Sequence, residues 1–175
     1  NQVSVDFSFI VQPGDRISVY PVFESLDISP ITRLRPKPLR NPQFVLDVHL
    51  GKLARYLRFL GFDTLYRNDY ADDELAQISA EKKRILLTRD RNLLKRSVIT
   101  HGYYVRSTDP RQQLAEIIRR FQLSPPYPFL KRCTLCNAPL SPIAKERILH
   151  LLPPSTQKYY HHFFRCQGCD KIYWK

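Results

Sequence analysis

Apolar and polar positions follow two alternating periods through the middle of the chain. Phe44-Val45-Leu46 is a short continuous apolar run, and Leu50, Leu53, Leu57 and Leu60 then recur at helical spacing, closed by Gly61. Thr64-Leu65-Tyr66 reads as a second strand. Leu75 and Ile78 mark a second helix, which Asp72 can cap, with Asp73 and Glu74 in its first turn where the helix dipole favours negative charge. Arg84 to Thr88 is a third strand, continuous in Ile85-Leu86-Leu87 as a sheet covered on both faces requires. A short helix opens near Asn92, and Tyr103-Tyr104-Val105 makes a fourth strand. Asp109-Pro110 then starts a helix carrying Leu114, Ile117, Ile118 and Phe121. Strand and helix in alternation predict an α/β domain with a largely parallel sheet, flanking helices and right-handed crossovers. Ligands of such sheets bind beyond the carboxyl ends of the strands. Asp47 and Asp90 both follow predicted strands, so they are expected at that same edge.

The pattern changes on either side. Residues 1–24 alternate apolar and polar around Pro13-Gly14-Asp15, the mark of a β-hairpin. A hairpin alone is marginal in water, so this segment packs on something or is the remainder of a larger β-rich domain. Pro30, Pro36, Pro38 and Pro42, interleaved with Arg33, Arg35, Lys37 and Arg40, predict an extended linker. Pro125, Pro126 and Pro128 end the α/β pattern, and two C-x-x-C pairs follow, with Lys171-Ile172-Tyr173-Trp174 as a strand after the second. The expected division is a β-rich segment at 1–28, a Pro/Arg-rich linker at 29–42, the α/β domain at 43–124 and a small metal module at 125–175.

Charge narrows the partners. Lys plus Arg number 28 against 16 Asp plus Glu, a formal net charge of +12. Such an excess makes either a solvated basic face or a surface for a polyanion, whose binding is driven by counterion release. Acidic residues gathered in short clusters within a basic chain fit a phosphodiester enzyme better than a passive nucleic-acid binder. No apolar run approaches the ~20 residues that span a bilayer, and no charged and apolar leader opens the chain, so no membrane partner is expected. Cysteines paired as C-x-x-C favour a metal site in a reducing compartment over a secreted disulfide framework, so a cytoplasmic location is expected. With no methionine anywhere, position 1 included, the chain is expected to begin inside a domain.

Two constellations carry candidate chemistry. Asp47 and Asp90 at strand ends, with Asp73 or Glu74 from a helix start, can converge on Mg2+ or Mn2+, which would polarise a phosphoryl oxygen and activate water. The same residues can instead be helix caps and dipole partners. Lys52, Arg55, Arg58, Arg89 and Arg91 lie on or beside the acid-bearing elements. Lys52 and Arg55, three apart, share a helix face and can hold phosphates; helix solubility is the plainer role, more so for Arg58. The second constellation is Cys133, Cys136, Cys166 and Cys169, four thiolates suited to tetrahedral structural Zn2+. The stretch 137–165 between the pairs exceeds the common ~15–20 residues, so an inserted loop or helix is expected. A redox disulfide is the alternative, and His161 or His162 can substitute as ligands. Tyr159, Tyr160, Phe163, Phe164 and Trp174 mix aromatic rings with positive charge; they can stack unpaired bases or pack the ribbon core.

The chain resembles a known family through Leu50-Gly51-Lys52-Leu53-Ala54-Arg55, Leu57-Arg58, Gly61-Phe62-Asp63-Thr64, Asp72-Asp73-Glu74-Leu75 and Leu86-Leu87-Thr88-Arg89-Asp90-Arg91, closed by Cys133–Asn137 and Cys166–Trp174. These are similar to the C-terminal ribonuclease domain of the Mut-seven proteins, of the PIN-like nuclease superfamily, from about Phe44 to the end. Gly14-Asp15-Arg16 and Val19-Tyr20-Pro21-Val22-Phe23 resemble the second half of the ubiquitin-like β-grasp domain often fused ahead of it. The resemblance implies a metal-dependent ribonuclease with Asp47, Asp73 or Glu74, and Asp90 in the acidic roles and a zinc ribbon, while Lys52, Arg55, Arg89 and Arg91, beside these acids in sequence, are expected near the RNA. Two departures stand out: Val48-His49 replaces the family's usual small residue and Met, and a fourth acid is missing, Asn92 being the nearest polar candidate. A non-catalytic RNA-binding protein using the basic surface and ribbon is the alternative, and a protein partner for the N-terminal segment is a third reading.

Overall fold

Four short strands, β1 (Phe44–Leu46), β2 (Thr64–Tyr66), β3 (Ile85–Thr88) and β4 (Gly102–Tyr104), pair in parallel in the order β2-β1-β3-β4. The computed structural model describes Gln12 and residues 42–175; the N-terminal hairpin, its β-grasp reading and nearly all of the linker lie outside them. Residues 42–175 form one compact unit. Leu46 stands opposite Tyr66 on one side and Leu87 on the other, so the carboxyl ends of β1, β2 and β3 share one edge.

The helices are α1 (Gly51–Phe59), entered through a 3-10 turn at Val48–Leu50, α2 (Asp72–Glu81), α3 (Arg91–Leu94) and α4 (Pro110–Arg120). α1 packs with α4 on one face, while α2 lies on β1 and β3 and α3 on β3 and β4. Strand residues alternate between the two layers: Val45 and Leu86 pack with Leu75, Ala76 and Leu93 of α2 and α3, whereas Phe44 meets Phe62 and Phe121 edge-on. Every residue of β1 and β3 is buried. Strands this short hold because each buried Leu or Ile contributes about 1.5–3 kcal/mol, not because of their own pairing.

Local signals explain the boundaries. α1 ends in a Schellman motif, with Gly61 at φ 93°, its amide on Arg58 O (2.9 Å) and the Phe62 amide on Leu57 O (3.0 Å). Asp109 caps α4 through the Arg111 and Gln112 amides, with Pro110 at the first helical position. One expectation is corrected. Asp72 is not the cap of α2: Ala71 takes that place without a side-chain bond, and Asp72, Asp73 and Glu74 all lie inside the first turn, where their charge still meets the dipole.

Beyond α4 a second sheet forms from β5 (Leu140–Ile143), β6 (Phe163–Cys166) and β7 (Ile172–Trp174), antiparallel in the order β5-β6-β7. The expected insertion between the cysteine pairs contains β5, two 3-10 turns, α5 (Pro154–Tyr159) and β6. Ile148 and Leu152 from the turns bury against Phe163, which supports packing as the role of that ring. Among the described residues no helix is long and apolar enough to cross a membrane.

Candidate active site and metal centre

The edge formed by β1 and β3 is where the strand order changes direction, and two acids stand on it. Asp47 follows β1 and caps the 3-10 turn through the Val48 amide. Its own amide bonds Leu87 O of β3 at 3.1 Å, and its Oδ2 accepts from Thr88 Oγ1 at 2.7 Å. Thr88 Oγ1 in turn accepts from the Asp90 amide at 2.9 Å, and Asp90 Oδ1 accepts from the Asn92 amide at 2.7 Å, capping α3. Thr88 therefore couples the two acids across neighbouring strands. Asp47 is nearly buried, at 6% exposure, while Asp90 is half-buried. The capping role and the edge position coexist: one oxygen of each carboxylate serves a cap, and each carboxylate retains lone pairs for another partner.

The remaining acids are held elsewhere. Asp73 projects into solvent and pairs with Arg96, just beyond α3. The Arg96 guanidinium is raised above its ordinary pKa, first by that hydrogen bond and then, against desolvation, by the charges of Asp73, Asp72 and Asp90. Glu74 pairs with Arg67 at 3.5 Å, and Arg67 also bonds Asp69 at 2.7 Å. Among the described residues no three of Asp47, Asp73, Glu74 and Asp90 come within a shared ligand distance. Among the described residues, the four cysteines alone form a group whose donor atoms lie within 4.8 Å of one another.

The basic residues divide into two kinds. Lys52 and Arg55 are exposed on α1. Arg89 spends Nη1 on the carbonyls of Val105, Arg106 and Ser107, at 2.6–3.0 Å, clamping the loop after β4. Glu116 holds the same loop by accepting from Tyr103 Oη and the Arg106 and Ser107 amides. Arg91 lies over the Tyr104 ring at 5.2 Å, and exposed Asn92 Oδ1 accepts from Lys95 Nζ at 3.3 Å. Arg96 carries no sequence signal of its own, and Thr88 is visible only as a member of the matched Leu86–Arg91 stretch, without a role assigned to it. The T-x-D order at the end of β3 is the one clue that could have singled out Thr88.

The ribbon is built from two turns of the same design. In each C-x-x-C turn an amide four residues on bonds back to the first cysteine carbonyl: Asn137 N to Cys133 O at 3.0 Å, Asp170 N to Cys166 O at 3.2 Å. Each turn also ties its first cysteine amide to a carbonyl five residues on, Ala138 O and Lys171 O. Each exits through a left-handed residue, Asn137 at φ 68° and Asp170 at φ 58°. Strand pairing then sets the turns face to face, with Sγ separations of 3.5 Å for Cys133–Cys169 and 3.3 Å for Cys136–Cys166. The Cys166 sulfur receives the Gly168 and Cys169 amides, and the Cys133 sulfur faces Tyr173 Oη at 3.1 Å. Burial pushes the Cys133 thiol up, but Tyr173 and the Cys136 and Leu135 amides outweigh it and bring it to about 6. Four sulfurs and no oxygen donor fit a thiophilic cation, and the cluster can hold a metal ion such as zinc. His161 and His162 are exposed and stand outside this group.

The first turn is also the junction with the α/β layer. Arg58 is 3% exposed, not a solubilising residue of α1. It donates to Thr64 O (2.8 Å) at the start of β2 and to Leu135 O (2.6 Å) and Thr134 O (3.3 Å) within the turn. Asp63 receives Arg84 and Asn137 at 2.8 Å each and Arg132 at 3.1 Å, and Asn137 Oδ1 accepts the Thr64 amide at 3.0 Å. Burial pushes the Asp63 carboxyl up, yet these donors and the charges of Arg84 and Arg132 prevail and hold it below the ordinary carboxylate range.

A parallel α/β layer with acids at its strand-order reversal is thus joined to a four-cysteine ribbon in one compact unit. The model of the Mut7-C RNAse domain matches residues 42–175, and the chain belongs to that family. The PIN-like superfamily is consistent with this domain, and the family points to a nuclease. No curated protein and no solved structure matches the chain.

Proposed function

We propose that the chain is a metal-dependent ribonuclease that hydrolyses RNA phosphodiester bonds at the β1–β3 edge, in the cytoplasm. One observation carries this reading: Asp47 and Asp90 stand at the carboxyl ends of adjacent central strands, coupled through Thr88 Oγ1. Asp47 and Asp90 would hold a hard cation, with Asp73 or Glu74 supplying a further oxygen. Bound Mg2+ or Mn2+ would polarise a phosphoryl oxygen and activate water. Thr88 fixes the rotamer of Asp47, and the caps on Val48 and Asn92 hold both carboxylates against rotation. Lys52 and Arg55 offer positive charge to the RNA backbone, Arg91 and Asn92 flank Asp90, and Arg89 shapes the loop after β4. Structural Zn2+ on Cys133, Cys136, Cys166 and Cys169 belongs to the same reading, as do residues 43–124 as the nuclease domain and 125–175 as the ribbon.

The second reading is an RNA-binding protein without catalysis. It is favoured by the pairing of Asp73 with Arg96, which supplies the acidic edge with a positive charge of its own. Cleavage of a labelled single-stranded RNA with Mn2+ separates the two. Asp47→Asn and Asp90→Asn are expected to slow cleavage by about 100-fold or more, the rate equivalent of several kcal/mol of lost charge stabilisation. Unchanged cleavage in both variants refutes the carboxylate mechanism; salt-sensitive binding with no metal-dependent cleavage by the native chain favours the second reading.

A further inference from the structure

Beside the first turns of α1 lies a pocket of about 330 Å3, lined by Gly51, Lys52, Arg55, Arg58, Tyr66 and Leu135. Three of its lining residues form a single helix row, because Lys52, Arg55 and Arg58 are each three residues apart. Tyr66, at the end of β2, crosses the start of α1 and donates its hydroxyl to Val48 O at 2.9 Å. Gly51 allows that approach: a Cβ there would stand 2.7 Å from the Tyr66 oxygen. Leu135, in the first cysteine turn, also lines it and is 48% exposed although it is a large apolar residue.

The charge in this pocket is one-sided. Three cations line it and no carboxylate does. Among the described residues Lys52 and Arg55 have neither a hydrogen bond nor an ion pair, and the hydrogen-bond acceptors of Arg58 are carbonyl oxygens only. Guanidinium and ammonium groups in that state suit phosphate, and an aromatic ring with an apolar wall suits the face of a base. The volume falls at the lower end for small-ligand sites, the size of one nucleotide. Tyr66 ties the pocket to Val48, the residue after Asp47.

We infer that this pocket is a nucleotide subsite, taking one phosphate-bearing nucleotide of the RNA strand next to the cleaved bond, and that Leu135 makes the cysteine ribbon part of the substrate surface. The inference rests on RNA as the substrate of the proposed function. The phosphate lies on Lys52 and Arg55, and the base or ribose lies between Tyr66 and Leu135. The ribbon is then a wall of the binding cleft as well as a fold-stabilising module.

The test is fluorescence anisotropy of the full chain with a labelled single-stranded RNA of about 12 nucleotides, without divalent cation so that cleavage does not enter. Leu135→Glu reverses the character of an exposed wall without emptying a core, and is expected to weaken binding about tenfold with metal content unchanged. Lys52→Ala with Arg55→Ala is expected to flatten the log–log salt slope by about 1.4, two single-strand phosphate contacts. Lys82→Glu, beyond the end of α2 at the opposite sheet edge, makes the same charge change as the double variant and a larger one than Leu135→Glu, and serves as the control. Pocket variants that bind RNA as the native chain does, or no more weakly than Lys82→Glu, overturn the inference. The two proposals fail separately. Cleavage indifferent to Asp47→Asn sinks the catalytic mechanism while the pocket still governs affinity. Cleavage that requires Asp47, with affinity indifferent to Leu135→Glu and to the double variant, sinks the subsite alone.

Discussion

The four thiols of the ribbon and the acids of the sheet edge are both sets of potential metal ligands, and they are assembled in opposite ways. In the ribbon, convergence is written into the backbone. Each cysteine turn repeats the same two amide bonds and the same left-handed exit, and the β5-β6-β7 pairing brings the turns together. At the sheet edge each acid has a separate employment: Asp47 and Asp90 cap, Asp73 pairs with Arg96, and Glu74 pairs with Arg67. Ligands that build a fold must stand together whenever the chain is folded. Ligands that act on a substrate need only be within reach, and other local contacts can hold them meanwhile.

Cys166→Ser against Asp90→Asn is the sharpest way to break that contrast, and it carries the largest expected effect. Structural Zn2+ contributes on the order of 10–16 kcal/mol in small zinc modules. Cys166→Ser should therefore abolish stoichiometric zinc by elemental analysis and unfold the β5-β6-β7 sheet, seen as lost amide protection. Asp90→Asn keeps an oxygen acceptor at the cap, so its thermal midpoint should shift by the equivalent of under about 1 kcal/mol. Comparable destabilisation by the two variants would show that the acids are as structural as the thiolates.

The contrast also assumes that the ribbon and sheet are mechanically one unit, and Arg58 tests this. Arg58→Ala leaves the carbonyls of Thr64 and Leu135 without their charged donor, at a cost of about 3 kcal/mol. Arg55→Ala, one turn earlier on the same helix but exposed, should stay within about 0.5 kcal/mol. Urea unfolding of zinc-loaded protein reads both. Equal midpoints would mean that the junction contributes no net stability.

Those two arginines also mark the limit of what the sequence discloses. Strand, helix and edge were legible because buried runs such as Ile85-Leu86-Leu87 and helical rows such as Leu50, Leu53 and Leu57 are local. The C-x-x-C turns were legible for the same reason. Arg55 and Arg58 have no local difference that predicts their burial, since Arg58 is covered by a turn some 76 residues further on. Asp63 meets Asn137 across a similar distance. β5 was hidden because it contains Pro142, tolerated on an edge strand of the order β5-β6-β7. Arg96 follows a four-residue helix with too few positions to show a period.

Arg96 offers the smallest effect and the most direct view of the acidic edge. Its guanidinium pairs with Asp73 and lies in the field of Asp72 and Asp90, so it competes for the charge that a divalent cation would use. Arg96→Ala should leave thermal stability nearly unchanged, because the pair is exposed to solvent and screened. It should tighten Mn2+ binding by about two- to fivefold, the range an exposed ion pair can supply, read by water-proton relaxation. Asp73→Asn alone would leave Arg96 unpaired and positive, so the ligand question is put to the double variant: adding Asp73→Asn to Arg96→Ala lowers affinity well below that of Arg96→Ala if Asp73 is a ligand. If the double variant binds Mn2+ as tightly as Arg96→Ala does, Asp73 contributes no ligand and the cation relies on Asp47 and Asp90. If neither changes it, α2 stands outside the metal site, and the separation between scattered acids and converged thiolates is wider than the proposed mechanism requires.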